Sequence, residues 1–103
     1  MAVVVDTTSI SNTLVANQVD TAILTAPMRT IEVVNRSAYE IWFTVCNVGG
    51  PNTQPTVGGS SCYVAASVVG TTVPVRINGV NGTVVNLISP YAAGYTVQMS
   101  NAS

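Results

Sequence analysis

The chain contains no lysine and no histidine, and its only cations are Arg29, Arg36 and Arg76. Four carboxylates stand against them: Asp6, Asp20, Glu32 and Glu40. Charged residues make up 7% of 103 positions, where an ordinary soluble domain carries roughly 25%. Three arginines cannot form a stripe that tracks phosphates, so nucleic acid is excluded as a partner. Without histidine a cysteine nucleophile lacks its usual base, and two cysteines are too few for a zinc site. No apolar run approaches the ~20 residues that a membrane-spanning helix needs. The opening "MAVVVDTTSIS" has no basic segment and too short an apolar core for a secretory signal. Synthesis in a cytoplasm is therefore expected.

Apolar residues nevertheless make up 48% of the chain. That suffices for the core of a single domain of this length. The remaining surface has to be dressed with Ser, Thr, Asn, Gln and Gly, or else covered. A free monomer with so few charges is poorly protected against association through sheet edges. The composition points to a building block.

Alternation of period two, rich in Val and Thr, dominates the pattern, and no sustained helical stripe appears. "VVVDTTSI" reads as a first strand. "QVDTAILT" sets Val19, Thr21 and Ile23 against Asp20, Ala22 and Leu24. "TIEVVN" puts Ile31 and Val33 on one face, and the turn Asn35-Arg36-Ser37 separates it from "EIWFTV", as in a pair of strands. "CYVAA" and "TTVPV" follow, the second held to a sheet edge by Pro74. "INGVNG" carries two Asn-Gly dipeptides, one of which should mark a hairpin. "TVVNLIS" and "YTVQMS" complete the set, with Tyr95, Val97 and Met99 on one side of the last. The expectation is an all-β, antiparallel β-sandwich or small jelly-roll-like barrel of about seven to eight short strands. Residues 1–17 form an extended N-terminal arm or first strand, and residues 18–103 a single β-sandwich domain. Such an arm would add a strand to a neighbour's sheet.

Catalytic machinery is not apparent. Each carboxylate falls on the polar side of a strand or near a turn, which reads as solvated. The glycines of "VGGPNTQPTVGG" precede no helix and no Lys-Ser/Thr pair, so they make turns and cradle no phosphate. Most of the aromatics are assigned to the core, and no cluster of polar groups beside them marks a small-molecule or sugar site. No enzyme, cofactor or metal is expected. Cys46 and Cys62 bracket the turn-rich segment. They are either reduced thiols or a disulfide worth roughly 3 kcal/mol, closing a loop of about 15 residues.

Trp42 is the residue that alternation places oddly. If Ile41, Phe43 and Val45 face the core, Trp42 faces outward between Glu40 and Thr44. Either that face packs on a neighbouring subunit, where Trp is enriched among hot spots, or the strand is buried on both faces or bulged. The interface candidates are Trp42, Val34, Glu40 and Thr44, together with Val3, Val4 and Val5 of the arm.

Several segments in order, "TLVANQVDTAILT", "TIEVVNRSAYEIWFTV", "QPTVGGSSCYVAA", "VPV" and "TVVNLISPYAAGYTVQ", resemble small virion proteins of tailed bacteriophages. In those a Val-x-Asn-Arg turn (here Val33–Arg36) leads to an Ile-aromatic-aromatic strand (Ile41–Phe43). A Pro-Thr-Val-Gly-Gly loop (Pro55–Gly59), a Val-x-Leu-Ile-Ser segment (Val85–Ser89) and a terminal Tyr-x-Val strand (Tyr95–Val97) follow. The likeness covers most of the chain from about Thr13. Where the family has Asp-rich loops, this chain has Cys46-Asn47 and Ser60-Ser61-Cys62, so acidic cation ligands are missing. The resemblance implies a structural protein of the capsid or tail, most simply a decoration (cement) protein on the capsid surface. It would bind itself as a homotrimer and the major capsid protein. A tail or head–tail junction subunit, or a carbohydrate-binding β-module, are the alternatives.

Overall fold

The computed structural model describes residues 3–60, 62–78 and 80–100. Among these, nine strands and no helix form: β1 (Val3–Asp6), β2 (Ser9–Thr13), β3 (Asp20–Leu24), β4 (Thr30–Asn35), β5 (Ile41–Asn47), β6 (Tyr63–Ala65), β7 (Thr72–Arg76), β8 (Thr83–Ile88) and β9 (Gly94–Ser100). They build a five-stranded sheet, β1-β3-β8-β5-β6, and a four-stranded sheet, β2-β9-β4-β7. The all-β sandwich expected from alternation is what forms.

The pairing is nested. β2 pairs with β9, β3 with β8, β4 with β7 and β5 with β6, all antiparallel. A long hairpin of paired strands has in effect been rolled up, and the eight strands β2–β9 have jelly-roll order. β1 lies outside this roll, parallel to β3, with Val3 beside Thr21 and Asp6 beside Leu24.

Alternation decides what goes inside. Ile31 and Val33, Ile41 and Phe43, Val85 and Leu87, and Tyr95 and Val97 are all buried between the sheets. Ile10, Leu14, Ala22 and Leu24 close the core from the β2–β3 side. Each such Val, Leu, Ile or Phe side chain contributes about 1.5–3 kcal/mol on leaving water. β7 does lie at the edge of its sheet, with Pro74 opposite Glu32. A proline has no N–H for a further neighbour, so it also blunts that edge.

Three local expectations are corrected. "VVVDTTSI" is two strands in two sheets. Asp6 Oδ1 accepts from the Thr7 N–H at 2.7 Å, at the point where the chain leaves β1. The Asn35-Arg36-Ser37 turn makes no hairpin, because β4 and β5 lie in opposite sheets. Asn35 is wholly buried there. Its Nδ2 donates to the carbonyls of Tyr39 (2.6 Å) and Ala66 (2.9 Å), and its Oδ1 accepts from the Ser37 N–H (2.9 Å). A side chain that satisfies three backbone groups from two segments at a corner favours a crossing over a tight reversal. The Asn-Gly pairs make no β7–β8 hairpin either, since those strands also change sheet. Gly79 falls outside the described residues. Gly82 has φ +94°, and a Cβ there would lie 2.8 Å from the Leu24 carbonyl oxygen. It is a glycine because the crossing passes hard against β3's end.

Candidate interaction surfaces

The outward faces of the two sheets differ in chemistry. The four-stranded sheet shows Ser9, Ser11 and Thr13 of β2 beside Gln98, Thr96 and Gly94 of β9. Thr30, Glu32 and Val34 of β4 and Thr72 and Arg76 of β7 continue the row. It is a face of hydroxyls. Ser11 and Thr96 hydrogen-bond across it at 2.8 Å, and Gln98 Nε2 donates to Glu32 Oε2 at 3.2 Å.

The five-stranded sheet turns an apolar face outward instead. Val3 and Val5 of β1 lie beside Thr21 and Ile23. Val84, Asn86 and Ile88 of β8 follow, then Trp42, Thr44 and Cys46 of β5, then Val64. Part of this face is roofed by the long loop 48–62. Asn86, wholly buried, holds the roof: its Nδ2 donates to Asn52 Oδ1 (2.6 Å) and to the Thr53 carbonyl (3.2 Å). Its Oδ1 accepts from Thr21 Oγ1 at 2.7 Å. Thr44 Oγ1 donates to the same Thr53 carbonyl at 2.6 Å, and the Thr53 N–H donates to Cys46 Sγ at 3.4 Å. With Thr83, Val85 and Leu87 facing the other sheet, all six residues of β8 are buried.

The sequence candidates therefore separate. Trp42, Val3 and Val5 share the outward face of the five-stranded sheet, Trp42 half-buried between Ile88 and Val64. Thr44 points the same way but is buried beneath the loop. Val4 faces inward and packs on the core. Val34 lies on the opposite sheet, and Glu40 is exposed in the loop before β5. Cys46 and Cys62 are both free and half-buried. Cys62 lies just before β6, and with Phe43 opposite Tyr63 it comes level with Thr44 and not with Cys46.

Asp20 corrects the expectation of solvated carboxylates. It is buried between the sheets, where Oδ2 accepts from the Tyr95 hydroxyl at 3.1 Å. Burial, then the adjacent Asp20 charge and this hydrogen bond, push the Tyr95 pKa far above its ordinary value. The aromatics are also less internal than expected. Only Phe43 and Tyr95 are fully buried, while Tyr39, Tyr63 and Tyr91 are exposed. Tyr39 and Tyr91 stack with ring centroids 4.5 Å apart. Among the described residues no three His, Cys, Asp or Glu side chains gather as metal ligands.

Four loops, 14–19, 36–40, 66–71 and 89–93, meet at the end of the sandwich where Asn35 sits. They carry exposed Val15, Val68 and Val69 and the stacked pair Tyr39 and Tyr91. Sequence reasoning did not find this tip, nor the role of Asn86. Both depend on segments far apart in the chain.

The class that the fold defines is an all-β sandwich with jelly-roll strand order and an extra parallel edge strand. No protein-family model, no curated protein and no solved structure matches the chain.

Proposed function

We propose that the chain is a non-enzymatic structural protein of a tailed-phage virion. Its most direct role is as a decoration protein that sits on the outer capsid surface and stabilises it. It would associate with itself, as a homotrimer, and with the major capsid protein, after synthesis in the host cytoplasm. The carrying observation is the amount of apolar surface left outside. Val3, Val5, Val68, Val69 and Val80 are each more than 60% exposed. Only three cationic and four acidic side chains offset them. Burial of such surface against neighbours is the ordinary source of assembly energy, and rings of identical subunits use one patch repeatedly. The jelly-roll order supports the reading at the level of architecture only, since viral capsid and lectin domains both use it. The likeness of the quoted segments to phage virion proteins supports it at the level of sequence.

Quantitative mass spectrometry of purified virions tests the proposal. A decoration protein is expected on the order of hundreds of copies per particle, as symmetric coverage of a capsid requires. A count near a dozen moves the protein to the tail or the head–tail junction. Virions lacking the chain altogether refute the virion role.

A further inference from the structure

Four strand edges bound the two sheets, and they are not equally open. β7 carries Pro74, and β6 is the shortest strand, with three residues. On β2 the Thr13 N–H is already taken by Asn12 Oδ1 at 2.9 Å. β1, at the outer edge of the five-stranded sheet, reads Val-Val-Val-Asp, with no proline and no cation to guard it.

The register fixes which backbone groups of β1 are open. Its parallel pairing sets Asp6 beside Leu24, and the Thr25 N–H donates to the Asp6 carbonyl at 3.0 Å. In a parallel pair the backbone groups of alternate residues point toward the partner strand. Asp6 and Val4 therefore turn theirs to β3, and Val3 and Val5 turn theirs away from it, in the plane of the sheet. Among the described residues β3 is the one strand beside β1, so no ladder receives these groups. The Val3 and Val5 side chains meanwhile stand on the sheet's outward face, 66% and 61% exposed.

We propose that β1 pairs antiparallel with β1 of a second copy, across a two-fold axis at Val4. In that register Val3 of each copy stands opposite Val5 of the other. Facing residues of this kind exchange both N–H···O bonds, so every open group of Val3 and Val5 finds a partner at once. The open groups lie symmetrically about Val4, which makes the edge its own complement, as an isologous contact requires. The valines of both copies share one face, where cross-strand β-branched pairs pack. Asp6 lies beyond the paired residues, so the two carboxylates fall at opposite ends of the ribbon and do not meet. The two five-stranded sheets become one continuous sheet. A two-fold contact does not close a three-fold ring. It is therefore separate from the trimer of the proposed role, and it holds whether or not the chain belongs to a virion.

Sedimentation equilibrium and amide hydrogen exchange of the full chain, over a range of concentrations, test the contact. A two-fold association is expected with a dissociation constant on the order of 10⁻⁴ M, as for an interface well below the standard size. Rising concentration should slow exchange at the Val3 and Val5 amides and leave Val4, already bonded to β3, unchanged. Val3→Lys combined with Val5→Lys sets like charges opposite one another and is expected to weaken the association by about tenfold or more. Val3→Lys combined with Val5→Glu sets opposite charges facing across the axis and is expected to recover it. Both side chains are exposed, so the fold is retained, and unchanged amide shifts beyond β1 and β3 establish that. Association that ignores the double lysine variant overturns the proposal, as does a chain that stays monomeric at every concentration. Failure of the Lys–Glu variant to recover overturns the register. Protection that appears at β2, β6 or β7 instead assigns the contact to another edge and overturns it for β1.

Discussion

Tyr95 of β9 reaches across the sandwich and gives its hydroxyl proton to Asp20 Oδ2 of β3, at 3.1 Å, with both residues buried. The bond ties the two sheets together inside the core. Tyr95→Phe removes the donor of this buried, charge-assisted hydrogen bond. It is expected to lower the unfolding free energy by about 1–3 kcal/mol, as read from urea denaturation.

The same pair sets an alkaline limit. Tyr95 is held neutral in the folded state, chiefly by burial and then by the Asp20 charge, while in the unfolded chain it titrates near the ordinary tyrosine value of about 10. Its contribution is therefore fully present below about pH 10 and is lost as pH rises from there toward the raised folded pKa. Equilibrium unfolding followed from pH 8 upward should steepen its loss near pH 10, and Tyr95→Phe should remove that component.

Asn86 is the pin of the 48–62 loop. Asn86→Ala deletes both bonds to Asn52 and Thr53 and strands the Thr21 hydroxyl. A loss of about 2–3 kcal/mol is expected from these broken buried hydrogen bonds. Cys46, whose sulfur accepts from the Thr53 N–H beneath that loop, should react faster with a thiol reagent. Unchanged Cys46 reactivity would show that the roof stays shut without Asn86.

Among the described residues, Thr83 Oγ1 is buried with no hydrogen-bond partner. Thr83→Val keeps the shape and removes the unpaired hydroxyl. The variant is expected to gain about 1–2 kcal/mol, measured as a higher urea midpoint at unchanged slope.

Trp42 separates assembly from folding. It is half-buried on the outward face, opposite Ile88 and Val64. Under the proposed role, Trp42→Ala weakens capsid binding by more than about tenfold while costing the monomer less than about 2 kcal/mol. A variant that melts much earlier yet binds normally assigns Trp42 to the monomer's own packing.

The sequence by itself determined the fold class and the buried side of most strands, though not of β3, whose Asp20 face turned inward. Period-two alternation is a local property, so the burial of Ile41 and Phe43, or of Tyr95 and Val97, was legible without partners. Pro74 announced an edge for the same reason: a missing N–H acts where it stands. The tertiary structure alone decided which strands pair. It put β4 and β5 in different sheets, and it placed Asp20 inside, where Tyr95, far along the chain, donates to it. It also roofed β8 with a distant loop and brought Ser11 beside Thr96. Such contacts repay the entropy of closing long loops only once both sheets exist, and no local pattern encodes that sum. The outward Trp42 followed from alternation, but its half-burial came from the strands laid on either side of it.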